Sequence, residues 1–227
     1  MSDLKAFIKT QLQELLNEPK MGFEGNELAF LSSQCKNEMQ IRDKIAWRLH
    51  EALGKEFKDN NLYVVRREWA PKSDDRRRVD LAVLRMDATL TKVEKAIALI
   101  EFKAQSIARP EKWYIPEFKK DVQKMRDFKS PEDDVCKDAE LYFVFLETGQ
   151  SEKAKKYKSV LAYSQYQTGK IVYGGGKDYL SAVKEHWKVF ADALGEHVDI
   201  PEPVAIEIGE AFGYKQYVSP LLIGPIK

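Results

Sequence analysis

The chain of 227 residues is 44% hydrophobic and 32% charged, and its formal net charge is +1. This length and composition suit a globular protein of one or two domains with a sizeable core, and they exclude bulk disorder, collagen-like repeats and coiled-coil arrays. The sequence shows neither a membrane span of roughly 18 apolar residues nor a secretory leader, and its two cysteines, Cys35 and Cys136, form no CxxC pair. We therefore expect a cytoplasmic protein with free thiols and without a zinc finger, iron–sulfur cluster or disulfide framework.

The N-terminal half is predicted to contain two helices followed by three strands. Apolar residues spaced three or four apart predict a first helix over residues 3–17, which packs either on the protein's own core or against a partner. The second predicted helix covers residues 35–53 and stops at Gly54. Apolar runs separated by turn residues predict strands at 62–69, 79–84 and 97–104.

Helical spacing returns at residues 114–128, and a buried strand is expected at 141–146. The remaining predicted elements are a helix at 153–166, whose pattern is ambiguous, a short strand at 170–173, a helix at 178–194 and a strand or hairpin after Pro203. This order predicts a single α/β domain with a mixed sheet of four or five strands flanked by helices. Its core would span residues 35–175, between an N-terminal helical extension (1–34) and a C-terminal helix and strand (176–227).

Charged residues on the second and third predicted strands form the strongest candidate site. Residues two apart on a strand share a face, so Glu101, Lys103 and Gln105 point together. If the two strands pair, Asp80 lies beside Glu101, and a divalent cation relieves the repulsion between the two carboxylates. Oxygen ligands favour Mg²⁺, with Mn²⁺ as a substitute, and Lys103 would then orient or deprotonate a nucleophile. Gln105 would contact the nucleophilic water or a phosphate. The structural alternative is a set of ion pairs, with Gln105 as a surface amide.

Asp80 followed by Glu101-Phe102-Lys103 resembles the motif of the PD-(D/E)XK nuclease superfamily, and the order helix, three strands, helix, strand over residues 35–175 is similar as well. Val79 stands in place of the motif's proline, a departure that many members share. The resemblance implies a restriction-endonuclease-like core and Mg²⁺-dependent hydrolysis of phosphodiester bonds in DNA, with RNA left open. It also implies an endonuclease of restriction, phage defence or mobile-element biology.

Members of this superfamily often carry a further acid on the first core helix that reaches the metal. Glu38 is the best match, and Glu51, at the other end of the same predicted helix, competes with it. Glu68, at the end of the first strand, is the third alternative. Each of the three is otherwise a helix-start or solvent-facing acid.

Basic residues concentrate around the motif. Residues 66–85 hold seven Arg or Lys against four acids and residues 103–129 hold eight against four, whereas residues 189–214 hold six acids and no Arg or Lys. Side chains that would neutralise nucleic-acid phosphates are Arg76, Arg77, Arg78, Lys120 and Lys124, with Lys119 beside them. The alternative for each lysine is a solvated surface charge. Trp113 and Tyr114 either stack on a base or pack against the protein.

Other motifs in the chain are weaker. Residues 174–177 lack the pattern of a phosphate loop, and His50, His186 and His197 lack the spacing of metal ligands. The alternative function is a catalytically silent nucleic-acid-binding or complex-forming subunit built on the same fold. We expect no membrane partner. Sequence-specific double-strand cutting would predict a homodimer, and a separate partner subunit is the other association left open, because the sequence does not determine the oligomeric state.

Overall fold

The computed structural model describes residues 2–34, 37–57, 62–71, 77–106, 114–129, 134–150, 179–195 and 198–226. The α-helices are α1 (Ser2–Asn17), α2 (Glu27–Gln34), α3 (Glu38–Glu56), α4 (Ile115–Phe128) and α5 (Tyr179–Leu194), with a short 3-10 helix at Pro19–Gly22. The strands are β1 (Tyr63–Trp69), β2 (Val79–Met86), β3 (Val93–Ser106), β4 (Glu140–Gln150), β5 (Ile206–Ala211) and β6 (Tyr214–Ile226). Among these described segments, no helix combines the length and apolar character needed to cross a membrane.

The strands form one mixed sheet in the order β1-β2-β3-β4-β6-β5. β1, β2 and β3 pair antiparallel, and β3 and β4 are parallel neighbours joined through α4. The hairpin of β5 and β6 joins the sheet because β6 pairs antiparallel with β4. The predicted α/β class, with a mixed sheet and flanking helices, is confirmed. The expected four or five strands are too few, because the C-terminal hairpin extends the sheet instead of forming a separate extension.

Alternation along the strands sends apolar side chains to both faces of the sheet, and each face has its own core. The first core lies beneath α1, α2 and α3 and includes Phe102 and Tyr142. The second core lies beneath α4 and α5, where Phe118 makes edge contacts with Phe143 and Phe190. Central strands buried on both faces leave little room for charge, so a charged residue on β3 needs a specific partner.

The N-terminal helices belong to the first core. Leu4, Ile8 and Leu12 of α1 are buried against it, so of the two alternatives for this helix the structure shows packing on the protein's own core. α2 was not predicted from the sequence, because it is short and its apolar residues form one continuous run without helical spacing. Its buried residues, Leu28 and Ala29, join the same core.

Several predicted boundaries differ from the observed ones. α3 begins at Glu38 instead of residue 35, and Gly54 does not end it, since the helix continues to Glu56 and the Phe57 amide still bonds to the carbonyl of Leu53. Gly54 lacks the left-handed backbone that makes glycine a helix terminator. The elements predicted at 153–166 and 170–173 and the residues 174–177 lie outside the described residues.

Candidate active site

The candidate site lies where β2 begins, beside the part of β3 that β2 does not pair with. The last paired residues are Leu81 and Ile100, whereas β3 runs on to Ser106 with β4 on its other side. Two carboxylates accept hydrogen bonds from backbone amides of β3 that lie beyond the segment paired with β2. Asp80 Oδ2 accepts from the Phe102 amide at 2.8 Å, and Glu38 Oε2 accepts from the Ala104 amide at 2.8 Å. Satisfaction of these backbone donors therefore brings two acids to the same edge of β3.

Glu101 and Lys103 lie on the face of β3 that α4 covers, and α4 supplies a charged partner for each. Lys124 Nζ lies 2.7 Å from Glu101 Oε1, and Lys103 Nζ lies 3.4 Å from the same oxygen. Asp121 joins the network, with Oδ2 2.9 Å from Lys103 Nζ and Oδ1 3.4 Å from Lys124 Nζ. The result is an alternating cluster of two carboxylates and two ammonium groups at the base of the site.

Glu101, the central acid of this cluster, is strongly affected by its surroundings. Its side chain is 4% exposed, and burial raises the pKa of its carboxyl to about 7, helped by the negative charge of Asp80. The ammonium groups of Lys103 and Lys124 oppose this shift in pKa.

Lys103 is held in its charged form. Burial acts to lower the pKa of its ammonium group, but the carboxylates of Glu101, Asp121 and Glu38 together outweigh it and raise that pKa. The sequence left open whether this lysine orients or deprotonates a nucleophile. An amine kept protonated by surrounding carboxylates is a poor base and a good electrostatic and positioning group.

A buried arginine on α3 links Asp80 to the first strand. Arg42 is 6% exposed, and its guanidinium lies 3.5 Å from Asp80 Oδ1 and 3.0 Å from Asp43. It also bonds to the carboxylate of Glu68, a non-glycine residue with φ of 49° in the left-handed region. An unfavourable backbone conformation at such a place indicates that the surrounding contacts fix the residue.

Of the three alternatives for the additional acid, Glu38 approaches the motif most directly. Its carboxylate bonds to the backbone of β3 one residue after Lys103. Glu68 reaches the site only through Arg42, and more than half of its side chain is exposed. Glu51 lies 13 residues along α3 from Glu38, which separates them by roughly 20 Å at 1.5 Å per residue.

The predicted phosphate-binding residues occupy different environments. Lys124 contacts Glu101 directly, whereas Lys119 and Lys120 are exposed on α4. Arg77 and Arg78 are exposed just before β2, and Arg77 pairs with Asp127 at 2.9 Å. Arg76 and Trp113 lie outside the described residues.

The aromatic and histidine residues considered in the sequence also occupy different environments. Tyr114 is 4% exposed and lies 5.2 Å from Phe190, so its ring packs in the second core and does not present a face for a base. Trp47 and His50 face solvent together on α3, with their ring centroids 6.3 Å apart. His197 is outside the described residues, and Cys136 is a buried free thiol.

The donor set at the site fits a hard divalent cation. Glu101 Oε2 is buried and has no hydrogen-bond partner among the described residues, while Lys103 and Lys124 occupy Oε1. The part of the chain that the structure describes contains no group of three His, Cys, Asp or Glu side chains arranged for a metal ion. Mg²⁺ is commonly held by one or two carboxylates, with water and substrate phosphate completing its shell. Asp80 and Glu101 are carboxylates of the kind that such a site uses.

Sequence reasoning missed two residues of this network, Asp121 and Arg42. Asp121 precedes Lys124 by three residues, a spacing that places both on one side of α4, and this signal was available. Arg42 follows Glu38 by one helical turn, but nothing in the sequence distinguishes it from a surface arginine.

The chain was also compared with known proteins. No protein-family model, curated protein or solved structure matches it.

Proposed function

We propose that the chain is a metal-dependent nuclease that hydrolyses phosphodiester bonds of DNA, acting as an endonuclease in restriction, phage defence or mobile-element biology. The observation that carries the proposal is the position of Asp80 and Glu101 at the point where the pairing of β3 with β2 stops, with Lys103 two residues along. The pathway rests on the superfamily resemblance alone, and RNA is the second possible substrate.

In the proposed mechanism, Asp80 and Glu101 would hold Mg²⁺, and Glu38 of α3 lies nearby with its carboxylate bonded to the backbone of β3. Bound Mg²⁺ would activate water and neutralise charge on the scissile phosphate. Lys103, fixed by Asp121 at 2.9 Å, would position the nucleophile or a phosphate oxygen with its ammonium group. Arg77, Arg78 and Lys120 are exposed and would contribute phosphate contacts that do not depend on base sequence.

The direct test is cleavage of supercoiled plasmid in Mg²⁺ or Mn²⁺. We expect the wild type to nick or linearise DNA only with the metal, and Glu101→Gln and Lys103→Met to lose at least about 100-fold in rate. Glu94→Gln is the matched control, since Glu94 is an exposed acid on the same strand that pairs with Arg85 at 3.2 Å. Equal activity of wild type and Glu101→Gln would attribute cleavage to a contaminant and defeat the proposal.

The alternative function is a catalytically silent nucleic-acid-binding or complex-forming subunit. One observation favours it: protein cations already pair with the central acids, Arg42 with Asp80 and Lys124 with Glu101. Such a protein would shift DNA in a gel without metal-dependent cleavage, or would change mass in light scattering when mixed with a partner. Arg78→Ala would weaken the DNA shift under either function, so cleavage is the discriminating measurement.

A further inference from the structure

A row of polar side chains crosses the second core beyond the candidate active site. Gln105 of β3 pairs in register with Glu147 of β4, and Glu147 pairs with Ser219 of β6. Glu147 and Ser219 have no exposed surface, and Gln105 is 5% exposed. The neighbouring positions on the same face of β4 and β6, Phe145 and Leu221, are apolar core residues. A buried polar row in such surroundings needs a physical reason.

α5 covers this row and adds an imidazole to it. His186 Nδ1 lies 3.5 Å from Glu147 Oε1. Two turns earlier on α5, the Tyr179 hydroxyl donates to the backbone carbonyl of Glu147 at 2.7 Å. The Thr148 hydroxyl donates to the backbone carbonyl of Gln105 at 3.0 Å. These bonds hold α5 and the ends of β3 and β4 in fixed relation around the row.

Several oxygen atoms of the row are unsatisfied in the described part of the structure. Both carboxylate oxygens of Glu147, Gln105 Oε1 and Ser219 Oγ lack hydrogen-bond partners among the described residues. Carboxylate and amide oxygens accept hydrogen bonds and also coordinate cations, so a bound cation would satisfy these atoms. Burial raises the pKa of the Glu147 carboxyl, while His186 acts in the opposite direction through a hydrogen bond and its charge. An ionised Glu147 at this position therefore needs a positive charge, from a protonated His186 or from a bound cation.

We propose that Glu147 and His186, completed by Gln105 and Ser219, form a second cation site that takes a transition metal of the Zn²⁺ or Mn²⁺ class. Two ligands about 2.1 Å from one tetrahedral ion lie about 3.4 Å apart. That separation matches the 3.5 Å between Glu147 Oε1 and His186 Nδ1, which is long for a hydrogen bond. An imidazole with a carboxylate favours these ions over Mg²⁺, which prefers oxygen ligands alone.

This second site is distinct from the proposed Mg²⁺ site, although it lies nearby. Gln105 follows Lys103 by two residues on the same face of β3, whereas the other three ligands come from β4, β6 and α5. A cation there would join the C-terminal helix and hairpin to the central parallel strands. Its existence does not depend on nuclease activity, and the lone histidine spacing in the sequence gave no indication of it.

The test measures metal binding in the full chain carrying Glu101→Gln, which removes the main ligand of the proposed Mg²⁺ site. Protein dialysed against EDTA and then against buffer is titrated with Co²⁺, a spectroscopic substitute for Zn²⁺, while visible absorption is recorded. We expect one equivalent to bind with a spectrum of nitrogen and oxygen ligands and without a thiolate charge-transfer band. Zn²⁺ is expected to displace Co²⁺ and raise the melting temperature.

Adding Glu147→Gln or His186→Gln to this background is expected to abolish the Co²⁺ spectrum and the Zn²⁺-dependent rise in melting temperature. Circular dichroism of each variant shows whether it is folded. If either variant fails to fold, the parent protein still decides the question: absence of stoichiometric Co²⁺ and Zn²⁺ binding overturns the site and leaves a neutral, structural Glu147. Undiminished binding by a folded Glu147→Gln variant also overturns it.

Discussion

Lys124 Nζ lies 2.7 Å from Glu101 Oε1, so this lysine of α4 is bound to the central acid of the candidate site. Lys120, one helical turn earlier, is exposed. The sequence assigned both lysines to nucleic-acid binding because residues four apart share a side of a helix. The two lysines differ in burial, because the side chain of Lys124 is only 15% exposed at the edge of the second core. Their substitutions should therefore have different effects.

We expect Lys124→Met to lower the cleavage rate by on the order of 10-fold or more. The pH–rate profile should also shift to higher pH, because the ammonium group of Lys124 favours the ionised form of Glu101. Lys120→Met should leave the profile in place, weaken DNA binding modestly, and reduce the salt dependence of binding by about one counterion. Single-turnover rates across pH and binding isotherms at several salt concentrations measure both effects. Identical behaviour of the two variants would contradict the separation.

A second prediction concerns stability and pH. The folded protein raises the pKa of Glu101 from 4.5 to about 7, so the folded state binds more protons than the unfolded state between these values. The free energy of unfolding should therefore fall as pH rises through this window, by about 3 kcal/mol at most, at about 1.4 kcal/mol per pH unit. Glu101→Gln lacks this titration, so its stability relative to wild type should increase between pH 5 and pH 8.

Urea unfolding in EDTA at both pH values measures that difference, and EDTA keeps bound metal from stabilising Glu101 in its ionised form. Glu94→Gln provides the control, because Glu94 is an exposed acid on the same strand. Its difference from wild type should not change in the same direction. The prediction fails if the free energies of unfolding of Glu101→Gln and wild type differ by the same amount at pH 5 and pH 8. Burial of Glu101 would then have no pH-dependent effect on stability.

The main elements of this fold were predictable because their apolar periodicity is strong. The helix at Ile115–Phe128 and the strand at Glu140–Gln150 were predicted to within a few residues. The strand β6 was harder to place, since no local pattern shows that a C-terminal hairpin will pair with β4 in the middle of the sheet. That pairing depends on contacts between distant parts of the chain, which periodicity does not report.

The candidate site was likewise only partly predictable from the sequence. Asp80, Glu101 and Lys103 were identifiable because charge in an apolar strand is conspicuous, and the structure brings them together with Glu38 at one edge of β3. The partners that hold them are not conspicuous. Asp121 resembles any surface acid of a helix until tertiary packing places it 2.9 Å from Lys103.

Asp121 provides a test of that partnership. Asp121→Asn removes the charge that holds Lys103 while keeping the shape of the side chain, so we expect the single-turnover rate to fall on the order of 10-fold. DNA affinity should stay equal or rise, because one negative charge is lost beside the site. Glu117→Gln, at an exposed acid of the same helix, makes the same change in net charge and should leave the rate unchanged. A matching loss of rate in both variants would assign the effect to charge alone.

Arg42 is buried, and its guanidinium contacts the carboxylates of Asp43, Glu68 and Asp80. Its removal would leave Asp80 without the guanidinium 3.5 Å away and Glu68 without its partner. Loss of one member of a buried charge network typically costs about 3–5 kcal/mol, so we expect Arg42→Met to destabilise the fold by that order. Arg48→Met is the matched control on the same helix, where a half-exposed pair with Glu18 at 3.0 Å contributes at most about 1 kcal/mol. Urea unfolding compares the two variants, and equal losses would show that Arg42 does not stabilise the acids around the site.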